Sequence, residues 1–407
     1  MKKIKLVSVW MIMWMVLSVN LTGCGGGSSS KVKHKSGRFL NSTLVAKYAK
    51  NAANITGLNS RYAVNVYRII YETKDKDGSF INVSGLLSVP QKGAQSKSPM
   101  LLYHHGTQYE NREAPSVNIH NASTYVLPAY IGFITASPDY IGYGESLGKQ
   151  HPYLVAKLTA STSIDLLRAS NTFLKQEHIL SNKQLFLGGY SQGGGAVLAS
   201  QKMLEEELTD EFTVTASSAG AGSYAFTDDL MQSSQEILDK FETFEFARPS
   251  NIGLIFKAMD SIYDLNILDR IFQPEYVSVV DTIYDGSHGS DYIDSKLTRN
   301  ANKLIKKAFL QDILAGKEEG LLNAFKTNDL YDWKPKAPTM LYHGREDDWV
   351  RFSHAQKAYA TMQANGATNV QLVECIAEDN QPTNHANCFV PYLLKSYEFF
   401  RQYATDL

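Results

Sequence analysis

A serine hydroxyl is a poor nucleophile until a neighbouring base takes its proton. One serine in this chain sits where that can be arranged. Gly189-Tyr190-Ser191-Gln192-Gly193 follows the apolar run at residues 185–187 and precedes a helix-like run at 196–204. The G-x-S-x-G spacing suits a sharp strand-to-helix turn that lifts the serine Oγ clear of a sheet. Glycine is needed on either side because a Cβ would collide with the neighbouring strand or helix. A helix starting just after Ser191 would aim its N-terminus at the place where negative charge develops. The pentapeptide alone is common; its strand–turn–helix setting gives it weight. Such a serine then requires a histidine, an acid and two oxyanion donors.

The acid is sought at the end of a strand. Residues 338–350, PTMLYHGREDDWV, read as a strand running into a loop, and Asp347 stands where a carboxylate could accept from a histidine Nδ1–H. That bond would leave Nε2 free to take the serine proton. Asp348 is the reserve. Downstream lie His354, on the following helix and expected at the surface, and His385, in the loop 380–387 before the last helix. His385 is the expected base. The backbone N–H of Gln192 is one expected oxyanion donor. The N–H of Thr107, in His104-His105-Gly106-Thr107, is the other, with Gly106 letting the backbone turn inward and the Thr107 hydroxyl a further donor. The order serine, acid, histidine is the one expected of an α/β-hydrolase. This chemistry needs neither metal nor cofactor. No H-E-x-x-H occurs, and His104 and His105, adjacent on a strand end, should diverge rather than share a metal. Arg168 beside Asp165 reads as a structural ion pair. Asp139 precedes the nucleophile and lies in a different loop. His151-Pro152-Tyr153 fits a cleft lining and a structural turn equally well.

The elements that must position these residues can be followed along the chain. With 407 residues, 43% hydrophobic and 20% charged, the chain can bury a large core. A formal charge of −1 argues against a general nucleic-acid surface. Residues 39–53 read as a short amphipathic helix. Strands are expected at 61–71 and 80–89, with a turn at Asp77-Gly78, then at 99–103, 131–136, 184–190, 212–218, 338–342 and 370–375. Helices are expected at 154–175, 353–365 and 390–403. Short apolar strands alternating with helices predict an α/β fold, a mostly parallel central sheet flanked by helices. From 225 to 333 the alternation stops. Helices at 228–243, 252–260, 301–314 and 318–327, separated by polar loops, predict an inserted helical cap, because a structureless loop of that length would be implausible. Its Phe241, Phe244, Phe246, Leu254, Ile255 and Phe256 would either face an acyl chain or pack the cap onto the sheet.

The first 24 residues stand apart. Lys2, Lys3 and Lys5 precede an apolar stretch at 6–19 that is short for a membrane span. Leu21-Thr22-Gly23-Cys24 resembles the lipobox of bacterial lipoproteins. The resemblance implies cleavage before Cys24 and a diacylglycerol on its thiol; several acyl chains hold a protein on a membrane lastingly. An ordinary secretory signal is the alternative. Residues 25–38, beginning GGGSSS, would be a flexible tether. Gly25 is not the aspartate associated with inner-membrane retention, which favours the outer membrane if there is one. In an exported protein the remaining pair, Cys375 and Cys388, fits one disulfide around His385; two free buried thiols are the other reading.

The motifs HHGT, SPDYIGYGES, HPYLVAK, IDLLRA, GYSQGGG and GREDD, with the late His385, resemble the α/β-hydrolase superfamily. More narrowly they are similar to the secretory lipases of the fungal lipase-A type and their bacterial lipoprotein relatives, over residues 61–403. The specific part is SPDYIGYG followed by His151-Pro152-Tyr153. The resemblance implies an α/β-hydrolase fold with a lid after the sixth strand, Ser191, Asp347 and His385 as a triad, and carboxylic-ester substrates. Relatives often carry a proline before the tyrosine that follows strand six; this chain has Gly222-Ser223-Tyr224. Two other readings remain: a serine peptidase on the same fold, and a surface lipoprotein that binds a ligand without catalysis.

Overall fold

The computed structural model describes residues 36–50, 60–119, 123–377 and 381–407. The expected leader, Cys24 and the tether up to residue 35 lie outside them. Nine strands form one sheet in the order β1-β2-β3-β5-β4-β6-β7-β8-β9. β1 (Phe39–Tyr48), β2 (Val64–Lys74) and β3 (Phe80–Pro90) run antiparallel, and β3 pairs antiparallel with β5 (Ile134–Pro138). From β5 onward, through β4 (Lys97–His104), β6 (Leu180–Tyr190), β7 (Val214–Gly220), β8 (Thr339–His343) and β9 (Val370–Glu374), every pairing is parallel.

Side chains alternate across a strand, so adjacent residues serve opposite layers. Leu101, Phe186 and Met340 pack on one face with Tyr392 and Phe400 of α13 (Phe389–Arg401). Leu102, Leu187 and Leu341, each one residue later, pack on the other. There they meet Leu167 of α2 (Ala156–Gln176), Val197 of α3 (Gln192–Glu206) and Ala358 of α12 (Ser353–Ala364). α1 (Ser123–Tyr130) covers Val64, Val66 and Leu86 at the antiparallel end.

Between β7 and β8 come α4 (Phe226–Asp239), α5 (Pro249–Tyr263), α6 (Leu268–Ile271), α7 (Pro274–Ile283), α8 (Ser290–Lys296), α9 (Ala301–Leu304), α10 (Lys307–Leu314) and α11 (Glu319–Thr327). They build a second hydrophobic core, with Phe256, Phe272, Phe309 and Phe325 in mutual contact or close to it. This is the cap that the break in strand–helix alternation predicts.

Three local expectations fail. Residues 39–48 are a strand, not a helix, and 51–53 lie outside the described residues. The apolar spacing fits a helix, but an extended chain of ten residues reaches about 33 Å. Phe39 at one end thus packs near Phe173, while the Tyr48 hydroxyl at the other donates to the Ile119 carbonyl, 2.8 Å away. Residues 301–314 form two helices because Ile305 is extended and bridges Phe272, while the Lys306 N–H donates to the Ile271 carbonyl. The stretch at 274–296, expected as polar loop, holds α7 and α8; α7 opens on Pro274, whose missing N–H costs nothing in a first turn. Among the described residues no helix is long and apolar enough to cross a membrane.

Candidate active site

Ser191 sits between β6 and α3 at φ 61° and ψ −123°. A non-glycine residue there carries a strain of about 1–3 kcal/mol. The turn is held from both sides: the Ser191 N–H donates to the Gly220 carbonyl at 2.9 Å, and the N–H groups of Gly194 and Gly195 donate to the Ser191 carbonyl. The flanking glycines are fixed by space. A Cβ on Gly189 would lie 2.6 Å from the Gly193 carbonyl oxygen, and one on Gly193 only 2.3 Å from that of His104.

The acid loop leaves β8 directly. Asp347 Oδ1 accepts from the N–H groups of Trp349 at 2.9 Å and Val350 at 2.8 Å. Its Oδ2 accepts from His385 Nδ1 at 2.7 Å. The expected acid and base are therefore paired, through the ring nitrogen that leaves Nε2 free. The reserve, Asp348, instead accepts the backbone N–H of His385. His343, the last residue of β8, adds a contact the sequence reading did not single out. Its Nε2 lies 2.8 Å from the Val350 carbonyl and 3.3 Å from Asp347 Oδ2. Two acceptors facing one nitrogen place the proton on Nε2. Burial pushes the Asp347 carboxyl up, but bonds from His343 and His385 and the Val350 N–H outweigh it, holding the group well below the usual carboxylate range.

His385 is buried in its loop, and three contacts fix it. The Tyr190 hydroxyl donates to its carbonyl at 2.8 Å. A disulfide joins Cys375, just past β9, to Cys388, on the opposite side of His385. The Trp349 indole lies nearly parallel to the imidazole, centroids 5.0 Å apart at 15°, with the Arg248 guanidinium 4.5 Å from the Trp349 ring. Ser191 and His385 line the same cavity, though among the described residues no hydrogen bond to Ser191 Oγ is formed. Such bonds are often long before substrate arrives.

The expected oxyanion donors, the N–H groups of Thr107 and Gln192, bond to no group among the described residues. The Gln192 N–H opens α3, where the helix dipole adds to its pull on an anion. The Thr107 hydroxyl pairs with the Tyr153 hydroxyl at 2.8 Å. Gln192 donates from its side-chain Nε2 to His151 Nε2, whose Nδ1 in turn donates to the Ile141 carbonyl. His151 is thereby held neutral, and burial pushes it down to about 4. So the His-Pro-Tyr stretch is both turn and lining: His151 steadies the residue after the nucleophile, and Tyr153 lines another cavity, beneath the cap.

His354 departs from expectation. It is buried, not superficial, and its Nδ1 accepts from the N–H groups of Tyr224 and Ala225 at 3.1 and 3.0 Å. It pins the chain as it enters the cap. After Gly222-Ser223, Tyr224 donates its hydroxyl to the Ala219 carbonyl, so the tyrosine anchors that corner. Beside it, Arg351 of the acid loop pairs with Asp229 and Glu236 of α4. His104 and His105 do diverge: His104 Nε2 faces Ser200 on α3, and His105 lines the cavity with Ser191. Arg168 binds Asp165 and Glu211, and Asp139 is buried against Ser84 and Ser116 rather than paired with His385. Among the described residues no group of three His, Cys, Asp or Glu is arranged to hold a metal.

A cavity of about 270 Å³ opens from Ser191 beneath the cap. Phe246, Ile255 and Phe256 line it, with Phe226, Leu230 and Ile237 of the cap beside them. Phe241 and Leu254 pack inside the cap core, and Phe244 packs against it. Three of the six thus face the cavity, and the other three pack in or against the cap's own core rather than onto the sheet.

No protein-family model matches the chain, and no curated protein matches it in sequence. Solved structures do. A protein assigned as a hydrolase from Legionella pneumophila is similar at a TM-score of 0.79 and 25% identity, over 90% of this chain and 98% of that one. The rice cell wall degrading esterase LipA from Xanthomonas oryzae aligns at 0.76 and 24%, over 89% and 96%. Lipase A of Candida antarctica, in its closed state, aligns at 0.61 and 16%, over 90% and 82%. With the strand order, the turn at Ser191 and the helical insertion after β7, these likenesses establish that the chain has the α/β-hydrolase fold.

Proposed function

We propose that the protein is a serine hydrolase of carboxylic esters. The observation that carries this is the meeting of three features: Ser191 on its strained turn, His385 in the same cavity with Asp347 on its Nδ1, and a chamber with an apolar wall opening from Ser191. In this reading His385 Nε2 takes the Ser191 proton as Oγ attacks the ester carbonyl. Asp347 stabilises the imidazolium that results. The N–H groups of Gln192 and Thr107, taken up by no backbone carbonyl among the described residues, hold the oxyanion. His385 then protonates the leaving alcohol, and water, activated the same way, releases the acid. The Phe246, Ile255 and Phe256 side of the chamber offers an acyl chain an apolar surface to lie on.

The test is a p-nitrophenyl ester series of increasing acyl length with the purified full chain and its Ser191→Ala variant. Turnover is expected from the parent only, with the loss about 10³-fold or greater, because the nucleophile acts as one unit with its base. Equal turnover by both proteins would remove Ser191 from the mechanism. We further propose that Cys24 is lipidated and holds the enzyme on a bacterial membrane, on the strength of Leu21-Thr22-Gly23-Cys24 and the tether after it.

A further inference from the structure

Ser191, Thr107 and Trp349 line two cavities at once. One is the chamber beneath the cap. The other, about 260 Å³, is bounded by Tyr103, Tyr125, Tyr190, Phe389 and His385. In ester hydrolysis the proton His385 collects from Ser191 is handed to the leaving oxygen, which must lie within hydrogen-bond reach of Nε2. His385 lines only the second cavity. The alcohol half of the ester therefore belongs in that cavity, and the acyl half beneath the cap.

The second cavity is walled by rings. Tyr103 and Tyr125 stand edge-on at 6.1 Å, and Tyr190 and Phe389 edge-on at 5.5 Å. A methyl group fills little of about 260 Å³, so a methyl ester would leave most of those rings facing solvent. Trp349 stands between the chambers. Its indole is clamped by His385 on one side and Arg248 on the other, and its backbone N–H is tied to Asp347. Resting on the ester reading, we infer that the preferred substrate carries a flat, ring-bearing alcohol, and that Trp349 is the specificity residue dividing the alcohol side from the acyl side.

The experiment compares methyl hexanoate with 2-naphthylmethyl hexanoate, whose acyl groups are identical and whose alcohols differ little as leaving groups. Both are given to the full chain and to its Phe389→Leu and Trp349→Ala variants. Phe389→Leu keeps apolar bulk but removes a ring. Trp349 is 49% exposed, so shortening it opens no core, and it carries the test if the first variant fails to fold. For the parent, kcat/KM on the naphthylmethyl ester is expected to exceed that on the methyl ester by about tenfold, the scale of one aromatic contact. Each variant should cut that ratio by more than half, and Trp349→Ala should also lengthen the longest acyl chain accepted. A parent ratio near one, or a ratio unchanged in the variants, overturns the inference and leaves ester hydrolysis standing. No turnover of any ester by the parent removes both.

Discussion

At Asp347 one carboxylate oxygen serves two imidazoles, and both favour the charged acid. The Nε2–H of His343 points positive charge at Oδ2, the atom that also holds His385. Removing that donor takes away one of the bonds that hold the Asp347 carboxyl down, so the group should rise toward its ordinary range. His343 itself packs on Phe352, with Arg345 beyond that ring. A carboxyl held down in the folded state adds stability above its unfolded pKa, and that stability is lost as pH falls through its folded one. For His343→Leu the gain in denaturation midpoint from strongly acid to neutral pH should therefore shrink. His343→Gln, which keeps an N–H at similar reach, should restore it. A purely structural histidine would lower the midpoint equally at both pH values in both variants. The pairing of Asp347 with His385 was legible from spacing, because a strand end and a late loop have fixed places in this topology. His343 was not. It ends an apolar strand, and only its burial beside the acid gives it a role.

At the scale of the element, the loop bearing His385 is short of secondary structure and is secured by its two ends. The Cys375–Cys388 disulfide ties β9 to the start of α13 across a separation of 13 residues. A cross-link closing a loop of that length stabilises by about 3 kcal/mol through the unfolded chain. Cys375→Ser with Cys388→Ser should lower the denaturation midpoint accordingly, and should cost activity at temperatures where the fold survives. Equal activity and an equal midpoint in the double variant would show that the loop stands without it. The turn at Ser191 was readable because its glycines answer a steric demand visible in five letters. β1 was misread because its apolar spacing suits a helix as well as an edge strand; what decides is the open edge of β2, which a sequence pattern does not display. The break at Ile305 has the same origin, a partner at Phe272 distant in sequence.

For the whole molecule, the attachment proposed at Cys24 predicts where the enzyme is found. Expressed in a bacterium supplied with labelled palmitate, the parent should incorporate label and sediment with membranes, whereas Cys24→Ala should do neither. Unlabelled parent in the soluble fraction would dismiss the lipobox reading. Apart from β1, the sequence pattern made the strands of the sheet legible, and the break in strand–helix alternation marked the cap. The cap's interior was less legible, since its helices are short and turn on contacts among themselves. Those contacts form a core of their own, separate from the layers that hold Ser191, Asp347 and His385. Most of the cap cavity's wall is drawn from this second core. Substitutions can thus reshape what the enzyme accepts while the reacting atoms keep their places. On the ester reading, acyl preference is thus set in a different layer of the molecule from turnover, and the two can change independently.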